Sequence, residues 1–330
     1  MDFYLKNKLL ENTDNNFWQN IKRIKLVACG TSYHACLVGE HLLNNLGFDT
    51  SCYVASEFIY SKPLLDKNTL CIFVSQSGET ADTLSAVKIA KQKFAKTLCI
   101  TNVLTSSITK NCDFVLPIKC GTEVAVASTK AYNGQLVAFY LLAGFLSKNQ
   151  EIYKKTAKKL KKLAKTINTN QIEQNIKPLV KAVIDAKTVF MVGRQTDYVT
   201  SLESALKLKE ITYINCQGYA SGELKHGTIS LVDKNTLVFA FVTDKTLADK
   251  TLNVIKQTQS RGAKICVVTP FENILDDTTI DYKIKLPVLQ NNFYPLIAIL
   301  PMQLLSYHTS VTLGYNPDKP RNLAKSVTVE

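Results

Sequence analysis

The chain has 330 residues, of which 46% are hydrophobic, and a formal net charge of +13. This length allows two domains with full hydrophobic cores, and the composition excludes a disordered or fibrous chain. The longest apolar segments are too short or too polar for a bilayer span and Met1 begins no apolar signal sequence, so we expect a cytoplasmic protein without membrane contact.

The positive charge is spread along the chain as lysines and does not form arginine clusters with interleaved aromatic residues. The densest lysine run, over 154–165, has the spacing of a solvated helix face. We therefore expect no nucleic-acid partner. The nine cysteines include no C-x-x-C pair and the chain has four histidines, so we expect reduced thiols, no metal site and no cofactor.

The first half of the chain alternates short apolar runs with helical patterns. Residues 24–29 are a predicted buried strand, and a helix is predicted from about Tyr33 to Leu46. Gly30, Thr31 and Ser32 connect the two. Strands alternating with helices indicate a parallel sheet covered on both faces. The later predicted elements of this half are strands over 52–55, 70–74, 97–101 and 114–118 and a helix over 129–145.

The stretch from Leu70 to Leu84, LCIFVSQSGETADTL, combines a buried strand, a hydroxyl-rich turn and a helix start. Backbone N–H groups at a helix N-terminus lack intrahelical partners and favour anions. The hydroxyls of Ser75, Ser77 and Thr80 and the amide of Gln76 add donors at the same point. Because no Gly-Lys-Ser/Thr follows, the turn lacks the P-loop groups that hold a nucleotide. We expect a phosphosugar site here; an ordinary capped helix after a loop is the alternative.

The second half repeats this pattern, with predicted strands over 188–192, 237–242, 264–269 and 281–286 and a helix over 202–211. The repeat length of about 150 to 160 residues indicates an internal duplication. The predicted fold class is α/β, with two similar units whose ligands bind beyond the carboxyl ends of parallel strands. The predicted domains are a first α/β domain (1–150), a helical connector (151–177), a second α/β domain (178–315) and an extended C-terminal tail (316–330).

Several ionisable residues of the second half are candidates for catalysis. Glu203, Lys207 and Glu210 share one face of a helix, where a carboxylate and an ammonium suit aldose–ketose exchange, although a salt-bridged surface stripe has the same pattern. His226 in a polar loop is an acid–base candidate or a solvated side chain. Lys325, with apolar neighbours, is a candidate nucleophile toward a ketone.

The sequence resembles the isomerase half of glucosamine-6-phosphate synthases, which is a pair of SIS phosphosugar-binding domains. The resemblance covers nearly the whole chain and implies that each domain is a three-layer α/β/α sandwich around a parallel sheet. It is carried by ACGTSYHA from Ala28, ASEF from Ala55, SQSGETADTL from Ser75, EVAVASTKAY from Glu123, ESALKLKEITY from Glu203, SGELKHG from Ser221 and KPRNLAKSVTVE from Lys319.

The resemblance implies a role for each candidate residue. Lys325 forms a Schiff base with C2 of fructose 6-phosphate, and His226, from the partner subunit of a homodimer, assists ring opening. Glu210 shuttles a proton between C1 and C2 with Lys207 nearby. The resemblance supports a catalytic role for Glu203 less strongly. The implied phosphate ligands are Ser32, Ser75, Gln76, Ser77 and Thr80, and the implied sugar-lining residues are Thr31, Val126, Ser128 and Ala324.

The implied activity is conversion of fructose 6-phosphate to glucosamine 6-phosphate with ammonia, or isomerisation to glucose 6-phosphate without it. The family's glutaminase domain is expected to be missing before Asp2, so ammonia would come from outside this polypeptide. Thr228 also stands where the family has proline after His-Gly, which could alter the histidine loop. The alternatives are a SIS-type glucosamine-6-phosphate deaminase and a non-catalytic SIS module that senses a phosphosugar.

Overall fold

The structure, a computed structural model, describes residues 10–11, 14–289 and 293–328. The start of the first predicted domain, positions 290–292 and the last two residues of the tail lie outside it. The described chain divides into two compact units. One comprises residues up to Thr166 together with the tail from Ala324, and the other comprises Ile167–Leu323. Each unit is an α/β structure with its own parallel sheet.

The first unit contains five strands and seven helices among its described residues. Its parallel sheet has the order β2-β1-β3-β4-β5. The elements are α1 (Asn15–Trp18), β1 (Arg23–Ala28), α2 (Gly30–Asn44), β2 (Asp49–Val54), α3 (Ala55–Ser61), β3 (Thr69–Ser75), α4 (Ala81–Gln92), β4 (Lys96–Thr101), α5 (Ser107–Asn111), β5 (Phe114–Pro117), α6 (Lys130–Leu146) and α7 (Gln150–Thr166).

Helices cover both faces of this sheet. One face packs on α3 and α4 through Phe58, Phe73 and Val87, which are fully buried. Helices α2 and α6 pack against one another on the other face, where a side chain at Gly39 would collide with the Phe139 ring. All seven residues of β3 are buried, as expected of a central strand covered on both faces.

The strand order places the two polar turns together. β1 continues to β2 on one side and β3 continues to β4 on the other, which makes the boundary between β1 and β3 the switch point of the sheet. Ala28 lies opposite Val74 in the parallel register, so the turns after these strands start from neighbouring strand ends. Helix α2 begins at Gly30, earlier than predicted, and its first turn therefore includes Thr31 and Ser32.

The second unit repeats the topology. Its sheet order, β10-β9-β8-β6-β7, matches that of the first unit read from the opposite end. The elements are α8 (Thr169–Asp185), β6 (Thr188–Gly193), α9 (Thr196–Thr212), β7 (Cys216–Ala220), 3₁₀ turns Glu223–Lys225 and Thr228–Leu231, β8 (Thr236–Phe241), α10 (Ala248–Gln259), β9 (Lys264–Thr269), α11 (Glu272–Leu275), β10 (Tyr282–Lys285) and α12 (Tyr294–Thr312). The duplication inferred from the sequence is confirmed.

The predicted connector, 151–177, comprises α7 and the first part of α8. Helix α7 buries Tyr153, Leu160 and Leu163 along one stripe, while the lysines of 154–165 are exposed. The lysine run is thus the solvated helix face that its spacing predicts. No helix within the described residues is long and apolar enough to cross a membrane.

Candidate active site

The turn after β3 is tightly hydrogen-bonded. Ser75 Oγ lies 3.0 Å from Thr80 Oγ1 and accepts a hydrogen bond from Gly78 N–H at 3.0 Å. The next hydroxyl, Ser77 Oγ, accepts the N–H of Glu79 at 3.2 Å. These bonds gather three hydroxyls at the start of α4, where the helix dipole favours an anion.

Gly78 allows this turn to pack closely on the chain after β4. Its φ of +71° is rarely adopted by residues with a side chain, and a Cβ there would lie 2.1 Å from Ser106 Oγ. The carbonyl of Gln76 accepts hydrogen bonds from Asn102 N–H at 3.2 Å and from Thr101 Oγ1 at 3.4 Å. The backbone of the turn is therefore fixed before any ligand arrives.

The second polar turn, after β1, lies beside the first. Thr31 and Ser32 are each 9% exposed in the first turn of α2. Gln135 of α6 donates from Nε2 to Ser32 Oγ at 2.9 Å, which fixes the hydroxyl. Two helix N-termini at neighbouring strand ends thus bring together the predicted phosphate ligands of the first unit: Ser32, Ser75, Gln76, Ser77 and Thr80.

The C-terminal tail docks on the same unit. Val327 C=O accepts the N–H of Ala81, the first residue of α4, at 3.2 Å. Lys325 Nζ donates to Glu123 Oε2 at 2.8 Å and to Ala125 C=O at 2.7 Å. The loop that also carries the predicted sugar-lining residues Val126 and Ser128 therefore holds the lysine that follows Ala324.

Glu123, which contacts Lys325, is a candidate-site residue that the sequence reasoning did not single out. Its side chain is 3% exposed, and its Oε1 accepts N–H groups of Thr129 at 2.9 Å and Ala131 at 3.1 Å, at the start of α6. Its Oε2 accepts Ser128 Oγ at 3.0 Å in addition to Lys325 Nζ. Burial raises the pKa of Glu123, but these donors, led by Lys325, outweigh burial, and the net pKa lies below its usual value.

In the second unit, three of the charged residues of α9, Glu203, Lys207 and Glu210, form a largely buried cluster. Lys207 Nζ lies 3.4 Å from Glu203 Oε1 and 2.5 Å from Glu210 Oε2. The Glu203 and Lys207 side chains are 0% and 2% exposed, whereas Glu210 is 21% exposed. Burial alone would lower the pKa of Lys207, but the charges of Glu203 and Glu210 raise it overall. Glu210 is therefore the most accessible member of the cluster. Because the other two side chains are buried, the cluster is not the salt-bridged surface stripe that the sequence left as an alternative.

His226 lies in an exposed loop between two 3₁₀ turns. Its N–H donates to Glu223 C=O at 3.0 Å, and the φ of Gly227 is +130°. Thr228 begins the second turn, a position where proline also fits because the first N–H of a turn needs no internal partner. Threonine and proline therefore both suit the backbone at position 228, where this sequence differs from the family that it resembles.

The second unit has no equivalent hydroxyl cradle among its described residues. β3 and β8 begin at Thr69 and Thr236, and the helices that follow begin at Ala81 and Ala248, so the two segments have equal length. When the two segments are aligned without gaps from these starting points, Val242 corresponds to Ser75 and Leu247 corresponds to Thr80. The serine hydroxyls that would receive an anion are lost.

In the second unit, a carboxylate bonds to the turn after β8, which corresponds to the hydroxyl turn after β3. Asp197, in the first turn of α9, accepts the N–H of Thr243 at 2.8 Å and its hydroxyl at 2.6 Å. The backbone after β8 is therefore bonded to a side chain of its own unit. Burial raises the pKa of Asp197 to about 6, although hydrogen bonds from Thr243 oppose the shift.

This buried carboxyl group predicts a pH-dependent stability. The pKa of about 6 in the folded chain exceeds the usual aspartate value of 3.8. The stability that this group contributes is therefore fully present below pH 3.8 and is lost as the pH rises through 6. The shift corresponds to roughly 3 kcal/mol. Asp197→Asn, neutral throughout, should gain urea resistance relative to wild type between pH 4 and 7. A difference in urea midpoint that does not change with pH would contradict this assignment.

Within the described residues, no group of three or more His, Cys, Asp or Glu side chains is placed to hold a metal ion. The first unit contains the hydroxyl turns, the loop 122–129 and Lys325, and the second unit contains the α9 cluster and His226. These are the residues that the sequence singled out, with Glu123 added.

Comparison with known proteins identifies the family. The SIS domain matches twice, over residues 19–144 and 182–313. The isomerizing glutamine–fructose-6-phosphate aminotransferases of Clostridium tetani and Methanothermobacter thermautotrophicus are each 44% identical over 94% of this chain. The matches cover 52% of each relative, so the chain spans about half the length of the curated relatives it matches.

Solved structures agree with this assignment. The C-terminal domain of glucosamine-fructose-6-phosphate aminotransferase from Francisella tularensis matches with a TM-score of 0.87 and 33% identity, over 94% of this chain and 90% of that one. Glucosamine-6-phosphate deaminase from Thermotoga maritima has the same fold, with a TM-score of 0.76 and 24% identity, over 97% and 95% of the two chains. The chain therefore belongs to the SIS-domain family, with two SIS domains in tandem, and is similar over nearly its whole length to the aminotransferase C-terminal domain.

Proposed function

We propose that the chain converts fructose 6-phosphate and ammonia to glucosamine 6-phosphate and water, and interconverts fructose 6-phosphate and glucose 6-phosphate without ammonia. The observation that carries this proposal is the placement of Lys325 in the unit that also contains the hydroxyl turns, with its Nζ held by Glu123 and Ala125. A phosphate site supplies affinity, and an amine supplies covalent chemistry at a ketone.

In this proposal the first unit binds the substrate. The hydroxyls of Ser32, Ser75, Ser77 and Thr80, the amide of Gln76 and the N-terminal ends of α2 and α4 hold the phosphate. Binding at a preformed turn needs little reorganisation, because the turn is already fixed by its own hydrogen bonds. The residues proposed to line the sugar are Thr31, Val126, Ser128 and Ala324.

The chemistry begins when the Lys325 amine attacks C2 of the open-chain ketose, and water leaves as the imine forms. His226 assists the ring opening that precedes this attack. The resemblance to the synthases implies that this histidine comes from the other subunit, so the proposal includes a homodimer. Glu210 then takes a proton from C1 and returns one to C2, while the Lys207 ammonium stabilises the developing negative charge. Glu203, fully buried beside Lys207, helps to keep that lysine charged. In the aminating reaction, ammonia replaces the lysine nitrogen at C2 before the proton moves. In the isomerisation, water hydrolyses the imine back to the open-chain ketone before the proton moves, so Lys325 is released and the product carries a hydroxyl group at C2.

Two other functions use some of the same residues. A glucosamine-6-phosphate deaminase would need the cradle and the proton-transfer residues, and the deaminase fold is shared with this chain. A non-catalytic phosphosugar sensor would need the cradle alone, without the Lys325–Glu123 pair or the buried α9 cluster. The charged groups in both units therefore favour an enzyme over a sensor.

Isomerisation tests the proposal with a single substrate. The purified chain is incubated with fructose 6-phosphate, and glucose 6-phosphate is measured with a coupled dehydrogenase. Its formation supports an enzyme, whereas fructose 6-phosphate binding without turnover indicates a sensor. In a separate incubation with glucosamine 6-phosphate, ammonia release without any ammonium-driven synthesis in the reverse assay indicates a deaminase.

Removal of one cradle hydroxyl should weaken substrate binding with little effect on turnover. Ser77→Ala loses one hydrogen bond to a charged phosphate, a contribution of roughly 1.5–3 kcal/mol, so KM for fructose 6-phosphate should rise about tenfold or more. The kcat should change less than about threefold, because the bond is made in ground and transition states alike. Ser147→Ala, at the end of α6 where its hydroxyl bonds Gly144 C=O, is the matched control. An unchanged KM in Ser77→Ala would count against the cradle.

A further inference from the structure

The ion pair between Lys325 and Glu123 is a resting state that imine formation must leave. An ammonium nitrogen has no lone pair and cannot attack a carbonyl carbon, so Lys325 must lose a proton before it reacts. Its Nζ donates to Glu123 Oε2 at 2.8 Å and to Ala125 C=O at 2.7 Å. Of these two acceptors, only the carboxylate is basic enough to take up this proton transiently.

We propose that Glu123 is the acid–base residue of imine formation at Lys325, an assignment that rests on the proposed function. Its Oε2 lies within hydrogen-bond distance of the reacting nitrogen, and its side chain is 3% exposed. The bonds from Thr129 N–H and Ala131 N–H fix the other oxygen to the start of α6. The geometry therefore holds one carboxylate oxygen at the lysine and anchors the other to the fold.

The proton balance of the step is closed by this one residue. Glu123 takes a proton from the Lys325 ammonium, and the freed amine attacks C2, forming the C–N bond. The attacking nitrogen passes one of its protons to the carbonyl oxygen, which becomes a hydroxyl group. Glu123 then returns its proton to this hydroxyl group, which departs as water as the C–O bond breaks. The sum is ketone plus lysine ammonium giving protonated imine plus water, with the carboxylate regenerated.

The surroundings of Glu123 keep it ionised at rest. The charged group that acts on it is Lys325. The other lysine near this loop, Lys130, donates from Nζ to Thr122 C=O. Cys120 is the neighbouring thiol, and burial together with the charge of Glu123 raises its pKa. The thiol therefore stays protonated near neutral pH and does not compete for the proton of Lys325.

The test traps the imine. The whole chain is mixed with fructose 6-phosphate, reduced with borohydride, and the adduct on Lys325 is quantified by peptide mass spectrometry between pH 6 and 9. In the wild type, a built-in base makes the initial trapping rate nearly independent of pH. Glu123→Gln keeps an oxygen to accept the α6 N–H groups but cannot take a proton, so its rate should fall roughly a hundredfold at pH 7. It should then rise about tenfold per pH unit, as expected when hydroxide must deprotonate the lysine.

Two further variants separate chemistry from structure. Glu123→Asp retains a carboxylate, and its pH profile should remain flat even if its rate is lower. Asp113→Asn is the matched control: this carboxylate also accepts a backbone N–H, from Thr97 at 2.9 Å, and pairs with Lys91 at 3.4 Å, at the N-terminal ends of β4 and β5. It should trap at the wild-type rate. The Asp113 variant controls for general loss of an ion-paired carboxylate.

The outcomes are distinct. A wild-type trapping rate that itself rises tenfold per pH unit overturns the role of Glu123, and this readout does not depend on the folding of any variant. A Glu123→Gln profile as flat as that of the wild type overturns it as well. Failure of the wild type to form any adduct on Lys325, despite bound fructose 6-phosphate, instead refutes the Schiff-base step of the proposed function.

Discussion

Lys325→Ala is expected to abolish amination of fructose 6-phosphate, with kcat/KM falling roughly a thousandfold or more. Alanine leaves no amine to form the imine at C2. The fold should survive, because Glu123 keeps its bonds from Thr129, Ala131 and Ser128. Product formation is measured by separate assays for glucosamine 6-phosphate and glucose 6-phosphate.

Lys130→Ala is the control for this variant, because Lys130 is a lysine of the same unit whose Nζ donates to a backbone carbonyl of the same loop. It should retain activity close to that of the wild type. Full activity of Lys325→Ala would refute the Schiff-base role. Activity lost together with fructose 6-phosphate binding would instead give Lys325 a role in holding the substrate.

Glu210→Gln is expected to lower kcat by roughly a hundredfold to ten-thousandfold, because the amide cannot take a proton from C1. Fructose 6-phosphate binding should be retained, since the proposed cradle belongs to the other unit. The buried Lys207 keeps Glu203 at 3.4 Å as a charged partner, so the helix should remain folded. Turnover and binding are measured separately, by product assay and by calorimetry with the sugar phosphate.

Glu272→Gln provides the control for Glu210→Gln. Glu272 is an ion-paired carboxylate of the same unit, bonded to Lys285, and it is 62% exposed. Its loss should leave kcat unchanged. If Glu210→Gln lost binding as well as turnover, Glu210 would be a structural residue of the α9 cluster and the proton shuttle would need another base.

The fold could be predicted from the sequence because the patterns that indicate its strands, turns and helices are local. The buried run of β3 and the hydroxyl turn after it lie within a few residues of one another, and the second unit repeats the same pattern. The start of α2 was placed too late, at about Tyr33. The reason is backbone geometry: Gly30 has a φ of +54° and already belongs to the helix. Gln195 begins the equivalent turn of the second unit with a φ of +53°, although it is not glycine.

The candidate site could be predicted only in part from the sequence, because some of its contacts join distant parts of the chain. Lys325 and Glu123 are separated by 202 positions, and no periodic pattern links a tail lysine to a loop carboxylate. The signal that could have revealed Glu123 is its position shortly before α6, where a carboxylate can cap N–H groups. The cluster of Glu203, Lys207 and Glu210 was found because its spacing is helical, but its burial follows from packing that the sequence pattern did not specify.

The contact between Asp197 and Thr243 is a second feature that the sequence pattern did not predict. Its carboxylate reaches Thr243, 46 positions away, and alone it resembles an ordinary acidic residue in the first turn of a helix. Only the alignment of the two units places it in the region that corresponds to the first unit's polar turns. The duplicated fold therefore retains a hydroxyl cradle in one unit and bonds the equivalent backbone internally in the other.

The most direct test of the account is the product assay with and without ammonium. The purified chain is incubated with fructose 6-phosphate, and glucosamine 6-phosphate and glucose 6-phosphate are quantified separately. We expect glucosamine 6-phosphate to form only when ammonium is present, and glucose 6-phosphate to form without it. Neither product, with fructose 6-phosphate bound to the chain, would contradict the proposed catalysis and make the chain a phosphosugar-binding module.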